Sequence, residues 1–152
     1  MSKKLNVITY HYVRDVEKSS FPDLKAQNIK TFKKQLNYFK NKYNILSPRN
    51  FLDVINGRMN LKKNSCLLTF DDGYIEHFKT VLPELKKRNI SAIFFAPAEA
   101  IIKRKVADVN KIQLILSVIR DKKKLLIEIE SFLKEIKFKF NFKNLEKKFI
   151  KK

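Results

Sequence analysis

Apolar positions fall in two rhythms along this chain. Residues 5–10 (LNVITY) are β-branched and aromatic and predict a buried strand. Residues 66–70 (CLLTF) are apolar almost throughout and predict a strand buried on both faces, of the parallel-sheet kind. Residues 91–96 (SAIFFA) predict a third strand. Between them the spacing changes to threes and fours. Ile29, Phe32, Leu36, Phe39 and Tyr43 make one helix stripe, with Lys30, Lys33, Lys34 and Lys40 outside it. Ser47-Pro48 reads as an N-cap and first helical position, and Gly57 as the left-handed close of that helix. Residues 75–88 predict a helix carrying Phe78, Leu82 and Leu85 on one side, kinked or restarted by Pro83. Residues 15–28, with Ser19, Ser20, Pro22 and Asp23, read as a loop.

Strand, helices, strand, helix, strand is the order of an α/β domain with parallel strands. After Pro97 the rhythm changes. Residues 109–119 and 125–136 predict helices, and residues 137–142 alternate Lys, Asn and Phe as a short strand or a frayed end. At 152 residues there is material for one core rather than two.

Composition narrows the picture further. The formal charge is +19, and the excess is spread: 18 basic and 8 acidic residues in 1–97, 16 and 7 in 98–152. Mostly lysine, it reads first as solvated surface, and second as attraction to an anionic surface. A nucleic-acid binder is the charge-based alternative. No helix-turn-helix, zinc or RNP-type signature supports it, and no specific nucleic acid is expected. Cys66 is the only cysteine and reads as a buried thiol, so no internal disulfide forms. The apolar run after Lys3 and Lys4 is too short for a signal peptide, and no run reaches the ~18 residues of a membrane span. A cytoplasmic protein without a transmembrane segment is the expectation.

Candidate chemistry gathers at one point. Ligands of open α/β sheets collect at the C-terminal ends of parallel strands, where Asp71 and Asp72 stand. Adjacent carboxylates there call for water, a metal or a cation. Asp-Asp-Gly is equally good turn chemistry, and the triplet alone leaves both readings open. His11 closes the first strand and can face the same mouth; Tyr10, Tyr12 and Tyr74 can stack on a sugar or belong to the core. His77 reads as a surface or backing group. A phosphotransferase of the haloacid-dehalogenase type is excluded, because Gly73 stands where its second aspartate belongs.

Residues 69–73 (TFDDG) resemble the first signature of the polysaccharide deacetylases, the NodB-homology domain of carbohydrate esterase family four. Residues 8–13 (ITYHYV) and 91–95 (SAIFF) are similar to strands of that family, in the same order. The resemblance implies an incomplete (β/α) barrel of the polysaccharide deacetylase type with a helical C-terminal segment. Residues 1–97 would be the N-terminal half of the deacetylase domain, and residues 98–152 a basic helical segment packed on it. It implies a hydrolase removing N-acetyl groups from a polysaccharide or oligosaccharide. Asp71 would be the general base, Asp72 a metal ligand, and His11 and Tyr74 substrate contacts. Zn²⁺ would be the cofactor, lowering the pKa of bound water. The family's paired histidines, Arg-x-Pro and Leu-x-His segments have no counterpart, since no histidine follows His77. The resemblance therefore implies a truncated or non-catalytic relative that holds its metal weakly or not at all.

Overall fold

β-Branched and apolar residues form the strands, and a computed structural model of the chain, describing residues 3–138, assembles them around one central element. That element is β3 (Ser65–Asp71), buried on both faces up to Phe70. β1 (Leu5–Tyr10) runs parallel along one whole side of it, from Leu5 opposite Ser65 to Tyr10 opposite Phe70. The other side is shared. β2 (Asn44–Ile45) meets the N-terminal end of β3, and β4 (Ile93–Phe95) its C-terminal end, placing Phe95 opposite Asp71. The result is an α/β sheet of four parallel strands, an incomplete barrel that does not close.

Alternation divides the sheet into two faces. Cys66, Leu68 and Phe70 pack with Tyr10 and Val13 against the helices, meeting Phe32 and Leu36 of α1 (Ile29–Lys42) and Val81 and Leu85 beyond. Asn28 caps α1 by accepting from the backbone N–H groups of Lys30 and Thr31, and Asp15 in turn accepts from Asn28 and the Ile29 N–H. Ser47 caps α2 (Pro48–Ile55), and Gly57 follows with φ +71°, the left-handed position its sequence predicts.

Three expectations change. β1 is not a buried strand: only Tyr10 is buried, and Val7 is 53% exposed. It is an edge, with β3 on one side and no strand on the other among the described residues. Residues 75–88 do form a helix, but five of them, His77–Val81, make a wide π-helical turn before α3 (Leu82–Arg88). Pro83 lacks an N–H and its ring crowds the carbonyl four residues back; the wide turn accommodates both. It also rotates the register. Val81 and Leu85 take the core positions, while Phe78, assigned to the inner stripe by regular spacing, is 70% exposed. The third strand is shorter than expected, three residues.

Three helices follow: α4 (Ala98–Ile102), α5 (Asp108–Val118) and α6 (Lys122–Glu135). α4 was too short for its spacing to announce it. Residues 139–142 of the alternating Lys/Phe stretch lie outside the described residues. No helix among the described residues is long and apolar enough to cross a membrane.

Burial raises two acidic protons in this core. The Cys66 thiol is pushed up to about 11, and the Tyr10 phenol to about 12 by burial and then by the neighbouring Cys66. The folded state thus keeps protons that the unfolded chain releases from about pH 9. The stability from these groups is complete below that pH and is lost as pH rises through their folded values. About 2 kcal/mol is expected to disappear by pH 10.5 through Cys66. Lysines neutralise in the same range, so the check is a comparison of urea midpoints at pH 8 and 10.5 for the native chain and Cys66→Ala. The native chain should lose more; equal pH dependence would contradict the burial argument.

Candidate active site

The site is built where β3 stops. Directly after Asp71 the chain reverses through Asp72 (φ +75°) and Gly73 (φ +62°). Aspartate is among the few side chains that enter this left-handed region readily, though holding it there costs about 1–3 kcal/mol. Gly73 has no such choice. A Cβ at that position would meet the Ala96 Cβ at 3.0 Å, because the exit of β4 presses against the turn.

The two carboxylates have different surroundings. Asp71 stays partly open, its side chain 33% exposed, with the His11 Nε2 3.8 Å from its Oδ2. The shared register explains this: His11 and Asp71 follow the paired residues Tyr10 and Phe70 at the same end of parallel strands. Asp71 also ends an open cleft of about 340 Å³ on the sheet face away from α1. Val7, Leu67, Ile93 and Phe95 line that cleft together with Thr9 and Thr69, whose hydroxyls are hydrogen-bonded at 2.9 Å.

Asp72 is tied down instead. The Tyr74 hydroxyl donates to its Oδ2 at 2.6 Å. The Asn110 side-chain amide, from α5, donates to that same Tyr74 oxygen at 2.6 Å and to the Tyr12 hydroxyl at 3.3 Å. Tyr12 and Tyr74 stack with centroids 4.1 Å apart, and the Arg14 guanidinium lies 4.8 Å from the Tyr12 centroid. Arg14 is held by the buried Glu76, its Nε and Nη2 both 2.6 Å from Oε1. Burial first, and then the bond to Asp72, hold the Tyr74 phenol well above its ordinary range, so it stays a protonated donor.

Of the sequence-predicted residues, Asp71, Asp72, His11 and Tyr74 therefore stand at one end of the sheet. The Tyr74 hydroxyl is engaged within the protein, and Tyr10 belongs to the core. His77 is not a surface group: it is 4% exposed, ringed by Phe70, Tyr74 and Phe94, and its Nε2 donates to the His11 carbonyl at 2.7 Å. Periodicity missed Asn110, Arg14 and Glu76, which are polar groups recruited across long separations. The available signal was Asn110 itself, one of two amides, with Gln113, in the largely apolar text of α5.

A catalytic zinc takes about three protein ligands and keeps a position for water. Among the described residues no three His, Cys, Asp or Glu side chains converge. Asp72 already accepts from Tyr74, and His77 spends its Nε2 on a carbonyl. The residues present do not by themselves fit a three-ligand metal site.

The structure is an open parallel α/β sheet with two aspartates at the mouth of its central strand, and comparison with known proteins shows what it is similar to. Residues 58–123 match the polysaccharide deacetylase family. The de-N-acetylase from Aggregatibacter actinomycetemcomitans is 32% identical with a TM-score of 0.51, over 59% of this chain and 36% of that one. IcaB from Ammonifex degensii is 32% identical with a TM-score of 0.57, over 66% of this chain and 41% of that one. The Streptococcus pyogenes deacetylase PplD, solved in complex with acetate, is 25% identical with a TM-score of 0.51, over 70% of this chain and 47% of that one. None of the curated proteins matches. Residues 58–123 are thus similar to the polysaccharide deacetylase family, and the chain spans less than half the length of these three structures.

Proposed function

We propose that this chain carries the base-bearing part of a deacetylase active site, for metal-dependent hydrolysis of N-acetyl groups on a glycan or glycan precursor. One observation carries the reading: Asp71 stands open at the mouth of the central strand, while its neighbour is fixed by hydrogen bonds. Asp71 is free to accept a proton from water, the work of a general base. His11 lies beside it in reach of a polar substrate group. The cleft offers apolar walls and two hydroxyls, a lining suited to a sugar bearing an acetamide. On this reading residues 1–97 are the N-terminal half of the domain, and residues 98–152 pack on it, as the reach of Asn110 to Tyr12 and Tyr74 supports. The remaining metal ligands would come from outside this chain, which is thus a truncated form of the unit.

A second reading has its own support. Asp72 is engaged by Tyr74 and no third ligand stands near among the described residues, which suits a non-catalytic relative that binds glycan without hydrolysing it. Grafting separates the two. Residues 1–97 would replace the matching part of the A. actinomycetemcomitans de-N-acetylase, and acetate release from N-acetylglucosamine oligomers would be measured. An active chimera in which Asp71→Asn lowers the rate about 10²–10⁴-fold is expected. A folded but inactive chimera would favour the non-catalytic reading.

A further inference from the structure

α5 is turned the opposite way from an ordinary amphipathic helix. It buries Asn110 and Ser117, seven residues apart on one face, and leaves Val109, Ile112 and Leu116 outside, with Ile112 56% exposed. Apolar burial alone would rotate such a helix by roughly half a turn. Something polar holds it, and among the described residues the only side-chain hydrogen bonds α5 makes to the strand-end loops run from Asn110 to Tyr12 and Tyr74.

The geometry points to Asn110 as a positioning residue, which directs the Tyr74 hydroxyl onto Asp72 and sets the rotation of α5. The argument is one of donors and acceptors. An asparagine NH₂ can only donate. Because it occupies a lone pair of the Tyr74 oxygen at 2.6 Å, the single phenolic proton is left for Asp72, also at 2.6 Å. Asn110 is 8% exposed, so an amide without these partners would be left costly and unpaired. The chain Asn110 to Tyr74 to Asp72 thus runs in one direction, from a helix of the C-terminal segment to the strained turn at φ +75°. Its value for hydrolysis rests on the reading above; its existence does not.

The test needs no substrate. In the native chain, NMR should show a slowly exchanging, downfield Tyr74 hydroxyl proton, assigned by its loss in Tyr74→Phe. Asn110→Asp keeps the shape but replaces the donor with acceptors that compete for that proton. Asn110→Ala removes the group without adding charge. In both, with the sheet amides unchanged, the hydroxyl signal should move upfield or vanish, and amide exchange in α5 should quicken about tenfold or more. An unchanged hydroxyl signal, or α5 exchange as slow as native, would overturn the assignment. Loss of the whole fold in both variants would also overturn it, in favour of a purely structural asparagine. Because neither signal involves acetate, an inactive chimera beside an intact relay in the native chain would count against the deacetylase reading alone.

Discussion

Phe70→Ala is expected to lower the unfolding free energy by about 3–5 kcal/mol, the usual cost of emptying an aromatic core site. Phe70 is fully buried in the central strand and touches the core from every side. It stacks on Tyr10 at 5.2 Å and on Phe94 at 5.0 Å, and meets Phe32 edge-on at 6.0 Å and His77 at 5.6 Å. These partners come from β1, β4, α1 and the π-helical turn, so one side chain joins four elements. Relaxation into the void is limited, because the facing rings belong to different elements and cannot all move inward together. Domains have only about 5–15 kcal/mol in total, so the variant should be largely unfolded well below the native melting temperature. Urea denaturation followed by circular dichroism gives the number. A loss under 1 kcal/mol would mean that the sheet does not depend on this ring. Phe70 also immediately precedes Asp71, so the same substitution should loosen the mouth of the strand before it unfolds the rest.

What was legible in the sequence follows from where the signal lies. The bounds of β1 and the core of β3 were legible because short runs rich in β-branched and apolar residues have few other uses. His11, Asp71 and Asp72 came to one end of the sheet because parallel direction alone puts the residue after each strand there. Periodicity failed where the backbone left its regular pitch. The π-helical turn shifted the inner face from Phe78 to His77 and Val81, and no count of threes and fours registers one extra residue in a turn. It failed again in α5, where spacing locates the helix but its natural inference, apolar side inward, gives the wrong face. β2, two residues long, is set by its pairing with Ser65 and Cys66 rather than by its own letters. The resemblance of TFDDG to a deacetylase signature pointed to the family that residues 58–123 match. It did not tell that Asp72 would be held by Tyr74 and Asn110, since those contacts span 2 and then 36 residues and leave no local pattern.

The isolated 152-residue chain is expected to release acetate from a chito-oligosaccharide no faster than its own Asp71→Asn variant, even with added Zn²⁺ or Co²⁺. The reason is a count of donors. Catalytic zinc sites hold the ion with about three protein ligands. Asp72 offers one carboxylate, already accepting a 2.6 Å bond from Tyr74. Asp71 cannot be spent on a metal and remain the base. His11 is exposed enough to serve, which brings the count to two. His77 adds nothing: its Nε2 is given to the His11 carbonyl, and its Nδ1 is buried without a partner among the described residues. No histidine follows it in the sequence, and residues 139–152 add only Glu146 among acidic or thiol donors. With one ligand missing, the ion binds weakly and its water is poorly activated. A complete site and a general base each contribute orders of magnitude, so their loss should leave only background hydrolysis. Enzymatic determination of acetate over a range of metal concentrations checks this. Robust release that Asp71→Asn abolishes would show that a second copy of the chain, or a rearranged turn at Asp72, completes the site.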